Sequence, residues 1–444
     1  MAPERIQLED SLVLRPATAA DAEKVVELNR TVQAEPPSFE PDEGVGHWTR
    51  DLFAGVNDRV KPSDFTVVED TSTGQLVSTM CLISQTWNIG GIDVPMGMPE
   101  IVGTHRDYRR RGLVRKQFGM MHRWSEDRGH LFNTIMGIPD YYRQFGYEYA
   151  IDAWGGSTTS PALLEPVLGK KDEQPPFTAR DADRSDVQFI ADTYRTVRDR
   201  AFVTVVRDAK IVESELFSTH RDSAMFQQCR VLERSGTPVG YYLFGIYKGN
   251  TCIHVDALEI DSSANWFDAT TSMLVDLKGM AKRYQPEGKE RCEKFELEMG
   301  PSHPAFKMYD TALGAPKRAY HWYVRVPDLA KLITHLTPLF ESRLARSEFR
   351  GWSGAVKISF YTDGIEMKFE SGKLTAVTGT GFIERHEASA LYPDLTFLKV
   401  LFGQHSFTHL KETVGGCYAK DTAMGTLQDI LFGGPLTAAV LQVS

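Results

Sequence analysis

Arg15 and Arg180 stand 165 residues apart, and around each of them the chain repeats the same order of residue types. Leu14-Arg15-Pro16-Ala17 running to Asp21 recurs as Ala179-Arg180-Asp181-Ala182 running to Asp186, and Arg30-Thr31-Val32 recurs as Arg195-Thr196-Val197 at the same offset. Self-similarity over such a span means two copies of one supersecondary unit, which excludes a single undivided domain. In each copy Thr18 or Asp183 stands three residues before an Asp, the position of a helix cap. Val25, Leu28 and Val32, like Ile190, Tyr194 and Val197, keep the spacing of a buried helical face. Each copy therefore opens with a short strand and a capped helix.

The order of the repeat is kept further along. Val67-Val68-Glu69 before Gly74 and Val77 corresponds to Val231-Leu232-Glu233 before Gly236 and Val239, and both read as hairpins. Glu100-Ile101 then pairs with Glu259-Ile260, and Tyr142…Gly146 with Tyr309…Gly314. The seam is expected between Ser160 and Pro176. After Pro327 the texture changes: Val356 to Tyr361, Ile365 to Phe369 and Leu374 to Val377 read as strands, and His386 to Leu391, Leu395 to Leu401 and Leu427 to Leu431 as helices. Strands and helices are segregated there, as in an α+β unit. The expected division is 1–160 and 161–327, two similar α/β units, and 328–444, a different one.

Composition narrows the function. A net charge of -9 opposes broad polyanion binding, so nucleic acid is not an expected partner and any phosphate site is local. The five cysteines are scattered without a C-x-x-C pair, which suggests neither a disulfide framework nor a zinc ribbon. No apolar run has the length of a membrane span or the flanks of a secretory leader, so a cytoplasmic protein is expected.

The densest chemical signal is Ile101-Val102-Gly103-Thr104-His105-Arg106-Asp107-Tyr108-Arg109-Arg110-Arg111-Gly112-Leu113-Val114, a strand entering a basic turn that opens a helix. Val114, Phe118 and Met121 define the helix's apolar face and Gly129 its stop. Free backbone N–H groups at the helix start, the positive end of its dipole and the arginines Arg109 to Arg111 suit a diphosphate, and Gly112 permits close approach. A solvated basic face is the plain alternative. A second strand, Leu131 to Met136, and then Tyr141-Tyr142-Arg143-Gln144-Phe145-Gly146-Tyr147 follow.

With these motifs in order, residues 12 to about 155 resemble the GCN5-related N-acetyltransferases (GNAT): Arg109-x-x-Gly112-x-Val114 matches the acetyl-CoA diphosphate loop and Tyr142-x-x-Phe145-Gly146-Tyr147 the second motif. Val114 and the Arg-Arg-Arg-Gly-Leu run look like the version in the enhanced-intracellular-survival (Eis-like) acetyltransferases. That resemblance implies tandem GNAT folds, each a mixed central sheet with flanking helices, followed by a sterol-carrier-protein-like α+β domain, and assembly as a homo-oligomer, in that family a hexamer. It implies acetyl-CoA as acetyl donor. Ile101, Val102 and Thr104 would hold the pantetheine and thioester by backbone bonds, with Gly103, Arg109, Arg110, Arg111, Gly112, Leu113 and Val114 completing the donor site. Tyr142 matches the tyrosine that protonates the leaving thiolate. The base would be the terminal carboxylate of Ser444 or, alternatively, Glu100. The second copy reads Asp261-Ser262-Ser263-Ala264-Asn265-Trp266-Phe267 at the loop, without arginine or glycine, so it is not expected to bind acetyl-CoA.

Four acids, Glu35, Glu40, Asp42 and Glu43, lie between Thr31 and Thr49 with no Lys or Arg. An acidic rim there would draw a small cationic amine, aminoglycoside or polyamine-like, by electrostatic steering. His405-x-x-x-His409 has the spacing of a metal pair but lacks a third ligand nearby, so no metal is expected. Two other functions remain open: a protein lysine or N-terminal acetyltransferase, and a non-catalytic lipid-binding protein built around the third unit.

Overall fold

The computed structural model describes residues 4–34, 39–56, 58–169, 174–246, 252–283, 294–309, 313–433 and 438–439. Its strands form three sheets. The first runs, in spatial order, Ile6–Gln7, Leu12–Pro16, Phe65–Asp70, Gln75–Ile89, Ile92–Thr104, Phe132–Ile135, Tyr320–Arg325 and Glu148–Ala153. The second runs Ala315–Lys317, Gly156–Thr159, Lys294–Leu297, Cys252–Ile260, Thr237–Ile246, Gln228–Arg234 and Thr178–Asp181. Both open as the repeat predicts, strand Leu12–Pro16 with helix Ala22–Val32 and strand Thr178–Asp181 with helix Val187–Arg195.

The repeat extends to its ion pairs. Arg15 Nη1 and Nη2 donate to the two oxygens of Asp21 at 2.8 and 2.9 Å while its Nε reaches Glu69 at 2.9 Å. Arg180 does the same with Asp186, at 2.7 Å each, and with Glu233 at 2.7 Å. Asp21 and Asp186 each also accept the backbone N–H three residues back, at 2.8 Å. The Arg15 hydrogen bond holds the Asp21 carboxyl down at about 2, against the opposing effect of burial. A folded value below the ordinary 3.8 stabilises the fold above about pH 4, and that contribution is lost as the pH falls toward 2. We expect Asp21→Asn to cost roughly 1–3 kcal/mol in urea melts at pH 7, the difference from wild type shrinking as the pH approaches 2.

The two sheets exchange strands. Leaving Glu148–Ala153 in the first sheet, the chain crosses at Trp154-Gly155 and enters the second as Gly156–Thr159. It returns at Arg318-Ala319, between Ala315–Lys317 and Tyr320–Arg325. The crossings press together: a Cβ on Gly155, whose φ is +79°, would stand 2.9 Å from the Ala319 Cα. The expected seam at 160 thus lies after the chain has already passed from one sheet to the other. Val203–Val205 of the second copy pairs with the end of Gln75–Ile89 and carries Ala438–Ala439 alongside it.

The third sheet, Lys373–Thr380, Gly364–Glu370, Gly354–Ser359, Ala390–Leu391 and Tyr418–Ala419, buries one face only. Ile365, Met367 and Phe369 face the core while Lys368 and Glu370, which alternate with them, are exposed. Helices Thr337–Ala345 and Thr422–Phe432 pack on the buried side, Phe340 against Phe432 with ring centroids 5.6 Å apart. The helix expected over His386 to Leu391 is not formed. Ala390 and Leu391 instead pair with Ile358 and Ser359, because this short segment has no periodic apolar face to favour a helix over the sheet edge. Among the described residues no helix is long and apolar enough to cross a membrane.

Candidate active site

The site begins where two parallel strands part. Ile92–Thr104 and Phe132–Ile135 pair only at Met96 with Phe132 and Gly97 with Asn133. A buried polar group sits at this fork: Asn133 Nδ2 donates to the Gly97 carbonyl at 3.2 Å and to Ser125 Oγ at 2.6 Å, and Ser125 meets His130 Nδ1 at 3.0 Å. Burial pushes His130 down to about 4, so it remains a neutral hydrogen-bonding group at pH 7. Every member having a partner, the group stabilises the branch point rather than burdening it.

Past the fork the first arm is re-aimed by a bulge. Thr79 pairs with Gly103 and Cys81 with Glu100, so Ile101 and Val102 stand opposite Met80 alone, and Ile101 adopts a φ of +50°. Gly103 lies against Val32, and Ser78 Oγ stands 3.0 Å from its carbonyl oxygen. Ser78 donates to Gln117 at 2.6 Å and meets Thr104 at 2.8 Å, tying this arm to helix Leu113–Asp127 through a fully buried glutamine. The Val102 carbonyl accepts from Gln33 at 3.2 Å.

The basic turn follows. Tyr108 donates to Asp70 at 2.8 Å, anchoring its first half, and Arg109 Nε donates to the Thr104 carbonyl at 3.2 Å. Arg110 and Gly112 both lie in the left-handed region, at φ +62° and +72°. Gly112 is the cap residue of helix Leu113–Asp127, which has neither a capping side chain nor an acid in its first turn. Its leading N–H groups are therefore left for an outside acceptor. Leu113 is buried and Val114 half-buried, so their side chains seat the helix while their amides face its end. Arg111 is engaged by Asp10 at 2.6 Å; Arg110, exposed, has no partner among the described residues.

Glu100 and Tyr142 come from the two arms. Glu100, buried on the first, is pushed from the ordinary 4.5 up to about 8 by loss of water, its neighbouring Ile101 amide opposing only in part. Tyr142 is buried beside Gly137, just past the second arm, its ring 5.4 Å from Tyr323 and 6.1 Å from Phe118. Its hydroxyl has no hydrogen-bond partner among the described residues, and burial and then the Glu100 charge raise its pKa further. Ser444 lies outside the described residues. So does Glu35, whereas Asp42 caps helix Glu43–Ala54 and Glu43 pairs with Arg30 just outside the stretch, which blunts the expected acidic rim.

Sequence reading missed two contributors, Tyr320 and Tyr323, on the strand returned from the second half. Tyr320 donates to the Gly137 carbonyl and Tyr323 to that of Ile138, at 3.2 Å for the latter. No local signal marks them, because the exchange that brings them here is long-range. The second copy differs at each matching position. Glu259, matching Glu100, is ion-paired with Arg200; Tyr309, matching Tyr142, is hydrogen-bonded to Thr271; and Asn265 caps the helix start at 2.9 Å, with Asp268 in its first turn.

Residues 13–150 match the family model described as the acetyltransferase (GNAT) domain. No curated protein matches the chain. Among solved structures, a GCN5-related N-acetyltransferase from Kribbella flavida is similar at 18% identity and TM-score 0.64, over 98% of this chain and 100% of that one. One from Anabaena variabilis is similar at 11% identity and TM-score 0.66, over 96% and 98%. Eis1 from Mycobacterium abscessus is similar at 16% identity and TM-score 0.59, over 96% and 98%. These likenesses concern the fold, over nearly the whole length; the family model covers the segment holding the fork, the basic turn and Tyr142, and so the chain carries a GNAT-type N-acetyltransferase domain.

Proposed function

We propose that the chain transfers an acetyl group from acetyl-CoA directly to the primary amine of a small cationic molecule, aminoglycoside or polyamine-like, in an Eis-like three-domain arrangement. The observation that carries this reading is the open, glycine-led start of helix Leu113–Asp127 beside Arg109 and Arg110, together with the buried Glu100 and Tyr142 from the two arms of the fork. Acetyl-CoA supplies an activated thioester. The open helix start at Gly112 to Val114, with Arg109 and Arg110, would hold its diphosphate, and the bulged arm Ile101, Val102 and Thr104 its pantetheine. The acceptor reacts as the neutral amine: Glu100, ionised, takes one N–H proton as the C–N bond forms and the C–S bond breaks, and Tyr142 donates its proton to the departing thiolate, leaving the amide and free CoA. The Ser444 carboxylate is the other candidate base.

The test is release of free CoA with polyamines, aminoglycosides and lysine peptides, for wild type, Glu100→Gln and a chain lacking Ser444. Turnover of the small amines alone supports the reading; turnover of peptides alone moves it to protein acetylation, and failure to bind acetyl-CoA overturns it. We further expect Arg109→Ala/Arg110→Ala to raise the acetyl-CoA KM by about tenfold or more while kcat at saturation changes little, since these charges act on binding rather than on the reacting atoms.

A further inference from the structure

We propose that His47, His220 and Asp222 form a binding site for a divalent transition-metal ion of the zinc type, clipping helix Glu43–Ala54 to a loop of the second copy. Donor atoms of these three side chains lie within 4.8 Å of one another, and they are the one such trio among the described residues. The inference is independent of the acetyl-transfer reading.

The two backbones are already docked. His220 N–H donates to Asp51 at 3.0 Å and Ala224 N–H to the Gly44 carbonyl at 2.9 Å, so the loop is fastened to the helix on either side of the trio. Within the loop Ser223 N–H donates to the His220 carbonyl at 2.8 Å. The helix is equally well placed: Asp42 caps it by accepting the Val45 N–H, and Trp48 and Leu52 bury its inner face, which leaves His47 at the junction. The two imidazoles lie face to face, centroids 3.9 Å apart and parallel within 1°, so their lone pairs point along parallel planes and ligation of one ion turns one ring out of the stack. Two backbone segments so held give the entropy of assembly in advance, which a metal site on a mobile surface does not have.

The donors select the ion. Two imidazole nitrogens and one carboxylate oxygen suit Zn²⁺ and its neighbours, with the fourth position left to water, whereas Mg²⁺ and Ca²⁺ favour oxygen-only sets. Asp51, one turn beyond His47, accepts the His220 backbone N–H and adds a negative charge close to both imidazoles. Ligand distances of about 2.0–2.1 Å imply donor separations of roughly 3.4 Å, so the trio closes by about an ångström on binding. His220 and Asp222 stand at exposed positions of the loop. One bond changes: the Asp222 amide donates to His220 Nδ1 at 3.1 Å, and ligation through Nε2 requires the proton on Nδ1, which releases that amide.

The experiment uses the full-length, tag-free chain freed of metal by a chelator, titrated calorimetrically with ZnCl₂ and with MgCl₂. Variants are His220→Ala and Asp222→Asn, both at exposed positions, with His405→Ala/His409→Ala as a control for the other close histidine pair, whose rings are 4.7 Å apart. We expect one equivalent of Zn²⁺ and none of Mg²⁺, a rise in Tm with Zn²⁺, and at least a tenfold weaker affinity in each site variant but not in the control. Folding of the variants is read from their Tm in chelator. Absence of saturable Zn²⁺ binding, or binding unaltered in both site variants, or binding lost in the control, overturns the proposal.

Discussion

Tyr142→Phe is expected to lower kcat for acetyl transfer by roughly 10²–10³ while leaving the Tm and the acetyl-CoA KM close to wild type. The packing gives the reason for the clean separation. The ring is wedged among Tyr323, Phe118, Tyr141 and Tyr147, and phenylalanine keeps all of those contacts. The lost hydroxyl has no hydrogen-bond partner among the described residues, so its removal strands no buried group. What it takes away is a proton donor held protonated well beyond neutral pH by burial and by Glu100. Steady-state kinetics with a thermal melt on the same sample decide the matter. Undiminished kcat would remove Tyr142 from the chemistry and leave it a packing residue.

Glu100→Gln is expected to act in opposite directions on activity and on stability. In the wild type, kcat/KM should rise with pH along a limb centred near 8 as the carboxyl ionises, and the variant should lose that limb together with most of its turnover. The stability sign follows from the same shift. A folded value of about 8 against an ordinary 4.5 means that the native state keeps a proton the unfolded chain has released. Wild-type stability attributable to this group therefore falls as the pH rises from about 4.5 to 8, by at most about 5 kcal/mol. Glutamine, nearly isosteric and uncharged, does not pass through that decline. The variant should thus gain most on wild type at pH 8 and above, and the gain should shrink toward pH 5; urea melts across the range measure it. A variant that is less stable at pH 8 would mean that the site solvates the carboxylate better than its burial implies. Retained turnover with a lost stability gap would transfer the role of base to the terminal carboxylate.

The two copies of the repeat differ at the positions of this pair. Glu259 and Tyr309 preserve the residue types of Glu100 and Tyr142, yet Arg200 compensates the first and Thr271 engages the second. Burial raises the Glu259 carboxyl as it does that of Glu100, but Arg200 opposes the rise, and a hydroxyl already bonded is a poorer donor. The arginines of the turn are missing as well, and Asn265 occupies the helix start that Gly112 leaves open.

Much of this was determined by the sequence alone. The repeat is legible because its determinants are local: Arg15 with Asp21 and Arg180 with Asp186 are six residues apart, and the same spacing closes the same bidentate pair twice. The basic turn is legible for a like reason, since a strand, a left-handed glycine and a helix without a cap follow one another along a single stretch from Ile101 to Val114. What only the tertiary structure decided depends on segments far apart in the chain. Tyr320 and Tyr323 reach the first site through a strand exchange that no periodicity announces, and His47 meets His220 only because a loop of one copy docks on a helix of the other. Ala390 and Leu391 became a strand because Ile358 and Ser359 offered them an edge. Nor could the protonation of Glu100 be read from its neighbours in sequence: it follows from how much water the whole packed fold excludes, and that is a property of the assembled core.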